Sequence, residues 1–135
     1  MKTFLPTKFQ LEHVFFGAGG VNYLNLENGK LHFRWESSPT EDEILREIEI
    51  EPLDEEWFQF WSVMEKIRIW DWKERYQPPA DILADGDIFN IQITFQGQEV
   101  KTDCWCNAPE RIDDFYQALE ELTDLNFEYP GGVKG

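Results

Sequence analysis

The dipeptide Asn28-Gly29 constrains this chain more than any other feature. Both central positions of the tightest hairpin turn need positive φ, and Asn-Gly is the pair that accepts it at least cost. A two-residue turn there sets Leu26 opposite Leu31, Leu24 opposite Phe33 and Asn22 opposite Trp35. Those pairs make a mostly apolar face. Glu27 with Lys30, Asn25 with His32 and Tyr23 with Arg34 make a polar, self-paired one. One side of the hairpin therefore packs and the other stays wet.

The same period-two reading extends along the chain. Thr3 to Phe9 and Leu11 to Phe16 have strand character, interrupted by Pro6 and stopped by Gly17-Ala18-Gly19-Gly20. The glycine cluster is not a phosphate loop, because no Lys-Ser/Thr follows it and Val21 opens a strand. Glu47 to Glu51 alternates strictly, which predicts a strand with Ile48 and Ile50 inward. Thr40 followed by Glu43 imitates a capping box, so 41–46 is open to a helical turn.

Helical spacing then takes over. Asp54 is the predicted N-cap of a helix in which Trp57, Phe60, Trp61, Met64 and Ile67 share one face. Glu55 and Glu56 suit its positive end, and Lys66 and Arg68 its negative end. The aromatic stretch from Trp70 to Tyr76 runs into Pro78-Pro79, which forbids further helix. Asp85-Gly86 marks a turn into a strand with Phe89, Ile91, Ile93 and Phe95 on one face and Asn90, Gln92 and Thr94 on the other. A turn over Gln96 to Glu99 returns the chain as Val100 to Cys106. Phe95 then lies opposite Val100, Cys104 and Cys106 point inward, and Trp105 points to the polar side. Asn107, with Pro109 and Glu110 behind it, caps a second helix whose inner face is Ile112, Phe115, Tyr116, Leu119 and Leu122.

This order predicts an α+β domain, an antiparallel sheet of about six strands with two amphipathic helices packed on one face. The 135 residues fit a single domain over 1–130, with 131–135 as a flexible tail. With 41% hydrophobic and 16% aromatic residues, the chain carries enough apolar surface to fold despite a net charge of −15.

That charge excludes partners. It repels phosphate backbones and anionic lipid, so neither nucleic acid nor a membrane surface is an expected partner. No apolar run reaches the ~18 residues of a membrane span. The start of the chain lacks the apolar core of a secretory signal, and the two cysteines are too close in sequence for an unstrained disulfide, so a reducing cytoplasm is the expected compartment. The acidity is concentrated. Residues 36–56 hold ten acidic side chains against one basic, and residues 103–128 hold eight against one. Glu47, Glu49 and Glu51 share a strand face, and Asp113, Asp114, Glu120 and Glu121 sit on the second helix. Such a field speeds association with a basic protein and orients it, while as plain surface it serves solubility and keeps an edge strand from pairing.

Catalytic signals are sparse. Cys104 and Cys106 with His13 and His32 could supply four metal ligands, but Cys-x-Cys is an unusual spacing for structural zinc, and His32 falls on the wet hairpin face. A thiolate nucleophile would also be disfavoured by the surrounding negative charge. Asp81, Asp85 and Asp87 lack the glycine and terminal glutamate spacing of a calcium loop. No cofactor and no metal are expected. Trp57 and Trp61 belong to the core by spacing. Trp70, Trp72 and Trp105 are open to half-buried packing or an aromatic groove.

Trp70, Trp72, Tyr76, Asp85-Gly86 before a strand, and Asn107-Ala108-Pro109 opening the last helix resemble motifs of small uncharacterised bacterial cytosolic proteins. The likeness covers about the C-terminal half, implies an α+β fold, and carries over no functional residue. In character the chain is also similar to immunity proteins, small acidic chains that cover the active site of a basic toxin. The expectation is a non-catalytic module binding a basic protein through Glu47, Glu49, Glu51, Asp113, Asp114, Glu120 and Glu121, with Trp105 as aromatic anchor. The rival expectation is a small-molecule- or metal-binding protein or enzyme using Cys104, Cys106 and a histidine.

Overall fold

A computed structural model of the chain describes residues 4–15, 20–36, 44–76, 88–105 and 109–127. Seven strands, β1 (Lys8–Val14), β2 (Val21–Glu27), β3 (Lys30–Glu36), β4 (Ile44–Ile50), β5 (Arg75–Tyr76), β6 (Ile88–Phe95) and β7 (Gln98–Trp105), form one sheet in the order β4-β3-β2-β1-β6-β7-β5. Helix α1 (Asp54–Lys66) lies between β4 and β5 in the chain, and α2 (Ile112–Thr123) follows β7. The fold is α+β, as expected.

The β2–β3 hairpin has the register that Asn28-Gly29 dictates, with Leu24 opposite Phe33 and Tyr23 opposite Arg34. Asn28 and Gly29 both take positive φ, 53° and 79°. Among the described residues the sheet has seven strands, and it is mixed rather than antiparallel. After α1 the chain makes a 3₁₀ turn over Ile69–Asp71 and then runs parallel to β7. The Asp103 N–H donates to the Glu74 carbonyl at 2.7 Å and the Thr102 hydroxyl to the Lys73 carbonyl at 2.5 Å, which fastens this short strand. Two residues are too few to show a period, so nothing in the sequence announces it.

Four local expectations shift. Among the described residues one strand, β1, replaces the two segments expected before Gly17, beginning after Pro6. The β6–β7 turn is only Gln96-Gly97, so Ile93 faces Val100 and Phe95 faces Gln98. A two-residue shift preserves the faces, and Cys104 still points inward and Trp105 outward. Leu53, not Asp54, is the N-cap of α1, and its N–H is taken by the Glu56 carboxylate at 2.8 Å. The second helix begins at Ile112 with Arg111 as its N-cap, not at Asn107. The expected features at Thr40 to Glu43, Asp85-Gly86, Cys106 and 131–135 lie outside the described residues.

The inner sheet face and both helices share one core, including Phe9, Leu24, Phe33, Ile91 and Val100 from the strands, Trp57, Phe60 and Met64 from α1, and Phe115, Leu119 and Leu122 from α2. Trp61 stacks on Phe95 at 3.9 Å and donates its indole N–H to the Phe4 carbonyl, tying the start of the chain to α1. Trp70 and Trp72 pack against this core, Trp72 edge-on to Phe115. Both helices cover one face. The other face of the sheet is polar.

Candidate functional site

Two surfaces of opposite character result. On α2, the positions Phe115, Tyr116, Ala118, Leu119, Leu122 and Thr123 are buried, which turns Asp113, Gln117, Glu120 and Glu121 to solvent. The two helices together carry eight carboxylates and a single lysine, Lys66. Arg111 Nε pairs with Asp114. Among the described residues, Asp113, Glu120 and Glu121 have no cation within ion-pair distance. Asp113 and Asp114 sit in the first turn, where the helix dipole favours them. Glu120 and Glu121 stand in the last turn, where it does not, and no basic residue accompanies them. A groove between α1 and α2 of about 220 Å³ is lined by Glu56, Gln59, Ala118 and Glu121. Its neighbour, also about 220 Å³, is lined by Lys66, Arg111, Asp114 and Gln117.

The strand carboxylates face the other way. Glu47 and Glu49 stand on the outer face of β4, an edge of the sheet, and Glu51 follows directly after it. This row is partly compensated, by one lysine shared between two of its carboxylates. Lys30 Nζ lies 3.0 Å from Glu49 and 3.7 Å from Glu51, and His32 Nε2 lies 3.6 Å from Glu49. The hydrogen bond from Lys30 holds the Glu49 carboxyl below its ordinary pKa. Trp105 is 41% exposed on the same outer face, but five strand positions away, roughly 24 Å at the usual strand spacing. The residues expected to make one contact surface are therefore divided. Asp113, Asp114, Glu120 and Glu121 lie on the helical layer, and Glu47, Glu49, Glu51 and Trp105 belong to the sheet side.

The described thiol and imidazoles do not converge. Cys104 is buried opposite Phe89, which in turn lies opposite His13, so an aromatic ring separates the two strands that carry them. His13 stacks on Phe15 at 4.0 Å and meets the Tyr116 hydroxyl at 3.3 Å, a packing role. His32 is on the opposite face of the sheet. Among the described residues, no group of three or more His, Cys, Asp or Glu is placed to hold a metal ion. Burial pushes the Cys104 thiol up to about 11, with a hydrogen bond to Thr102 opposing it in part. At pH 8 only about one Cys104 in a thousand is thiolate. In a Cys106→Ser variant, Ellman's reagent at pH 8 should leave Cys104 unlabelled until urea unfolds the chain. Rapid labelling of the native variant would contradict the burial.

No protein-family model matches the chain, and no curated protein does. Among the described residues, no helix is long and apolar enough to cross a membrane. The chemistry must be read from the surfaces themselves.

The outer sheet face holds what sequence reasoning missed. It curves into a concavity of about 300 Å³, floored by Leu11 and Ile91 and walled by polar side chains from β1, β2, β3, β6 and β7. The available signal was the run of amides at alternate strand positions, Gln10, Asn25, Asn90 and Gln92. Glu12 lies at its centre, between Tyr23 and Asn90 in register. Partial burial, and then the nearby Glu36 carboxylate, raise its pKa. A carboxyl raised on folding contributes most when protonated, and that contribution is lost as pH climbs from 4.5 through the raised value. Glu12→Gln should therefore stabilise the fold at pH 7 and make little difference at pH 3. Urea unfolding at both values checks this, and equal stability at pH 7 would refute it.

Proposed function

We propose that this chain is a non-catalytic acidic module that docks a basic protein through its helical layer, as an immunity-type inhibitor covers a basic toxin. The observation that carries this reading is the last turn of α2. Glu120 and Glu121 are exposed, uncompensated among the described residues, and followed by Asp124 at a helix end that disfavours negative charge. A fold maintaining stability alone would place a lysine or arginine there. Residues that break a local rule without structural return are where recognition is expected.

The grooves beside this turn support the reading. Glu56 and Glu121 flank a cleft whose wall includes the small side chain of Ala118, suited to an arginine or lysine of the partner. The sheet-side row of Glu47, Glu49 and Glu51 is a weaker contributor, because Lys30 already pairs with Glu49 and Glu51.

The test is differential capture from a native-host lysate by the wild-type chain and by Glu120→Lys/Glu121→Lys. The expected result is a basic protein retained by the wild type, released by raised salt, and lost by the variant. Retention of the same proteins by both chains would overturn the reading.

A further inference from the structure

The concavity on the outer face of the sheet lies on the side away from the helical layer and shares no residue with the docking surface there. Four carboxamides surround it, from Gln10 on β1, Asn25 on β2, and Asn90 and Gln92 on β6. In register, Asn25, Gln10 and Gln92 form a continuous row across three neighbouring strands, with Asn90 on the same face two residues before Gln92. None of the four side chains hydrogen-bonds to another described residue. Asn25, Asn90 and Gln92 are nonetheless only partly exposed. Each offers an acceptor oxygen and two N–H donors into a partly sheltered hollow.

Electrostatics narrows the ligand. Among the lining residues Glu12 and Asp103 are matched by Arg34 and Lys101, and the adjoining Glu36 carboxylate, 3.9 Å from Arg34, leaves the hollow slightly negative on a chain of net charge −15. It therefore does not favour an anion, and among the described residues no carboxylate cluster is placed to hold a metal ion. The Arg34 guanidinium lies 5.4 Å from the centre of the Tyr23 ring, placing a planar cation and an aromatic ring at one wall. A neutral ligand bearing many groups that both donate and accept matches this array, and hydroxyls do so. The volume, about 300 Å³, stands at the small end of the ~300–1,000 Å³ of small-molecule sites.

We propose that this concave face binds a neutral saccharide of one or two rings, held by the carboxamides of Gln10, Asn25, Asn90 and Gln92 beside Tyr23. The hollow is open and polar, so affinity is in the millimolar range, where each hydrogen bond adds modestly to the total.

Side-chain NH₂ resonances report the contact directly. The ¹⁵N-labelled chain is titrated separately with maltose, cellobiose and N,N′-diacetylchitobiose to about 20 mM, enough to populate a millimolar site. The expected result is saturable movement of the Gln10, Asn25, Asn90 and Gln92 amide signals with at least one sugar. Asn90→Ala/Gln92→Ala should weaken that binding at least about tenfold at unchanged Tm. Gln10→Ala/Asn25→Ala, on the other side of the hollow, should do the same, while Gln117→Ala on α2 leaves it intact. Absence of any saturable shift with all three sugars overturns the proposal. So does binding that survives both double variants.

Discussion

Glu120→Lys/Glu121→Lys is expected to slow association with the basic partner by at least about tenfold at low salt, while leaving the fold as stable as before or more so. Electrostatic steering is worth roughly 10–10³ in association rate when a focused field meets its complement. The substitution changes the local charge by four at the one place on α2 where carboxylates stand unpaired among the described residues at a helix end that disfavours them. The stability arm separates recognition from damage. A lysine in the last turn meets the negative end of the helix dipole, worth about 0.3–1 kcal/mol in its favour at an exposed site. Stopped-flow association and thermal unfolding of the same two proteins measure both arms. A slower rate with a lower Tm would implicate the fold. A slower rate with Tm held or raised implicates the surface.

The second large effect is expected at Gly20. Its φ is +98°, and a Cβ there would meet the Glu36 carbonyl oxygen at 2.7 Å as well as the ring of Trp35. Backbone cannot yield as a side chain tip can, so Gly20→Ala combines left-handed strain with steric overlap. Together these cost about 2–5 kcal/mol. Gly97 provides the internal control. It has φ +79° and open space around its Cβ, so Gly97→Ala carries the strain alone, about 1 kcal/mol. Urea unfolding midpoints should place Gly20→Ala far below Gly97→Ala. Equal losses would mean that Gly20 does not approach Trp35 and Glu36 at the end of β3 as closely as described.

Local chemistry decides how much of this fold is legible in the sequence. Asn28-Gly29 specifies a turn type, hence a register, hence which side chains of β2 and β3 share a face, and the structure has that register residue for residue. Trp57, Phe60, Trp61 and Met64 repeat at helical spacing and are all buried. Where the local signal is weak, the reading drifts. Gln96-Gly97 makes a two-residue turn with Gln96 at φ 48°, a conformation that glutamine does not advertise as asparagine does. The parallel strand β5 is two residues held by main-chain contacts to β7, invisible to any periodicity.

Charge was legible as a count and misleading as a surface. Alternation correctly turned Glu47 and Glu49 outward, but the pairing of Glu49 depends on Lys30 reaching across from β3, a matter of side-chain geometry. Likewise, nothing in the linear sequence says that α2 lies behind the sheet face that carries the strand carboxylates. That division follows from which face of each strand is apolar, taken over all strands at once. The row of amides on the outer face was visible in sequence, yet exposed amides on strands are common, and only their gathering into one hollow gives them meaning.

The most direct test of partner docking is the ionic-strength dependence of association between the intact chain and the basic protein it captures. If uncompensated carboxylates on α2 steer the encounter, the association rate falls steeply as salt rises, with dissociation changing much less, and Glu120→Lys/Glu121→Lys flattens that slope. An association rate indifferent to salt in the wild-type chain would contradict electrostatic docking.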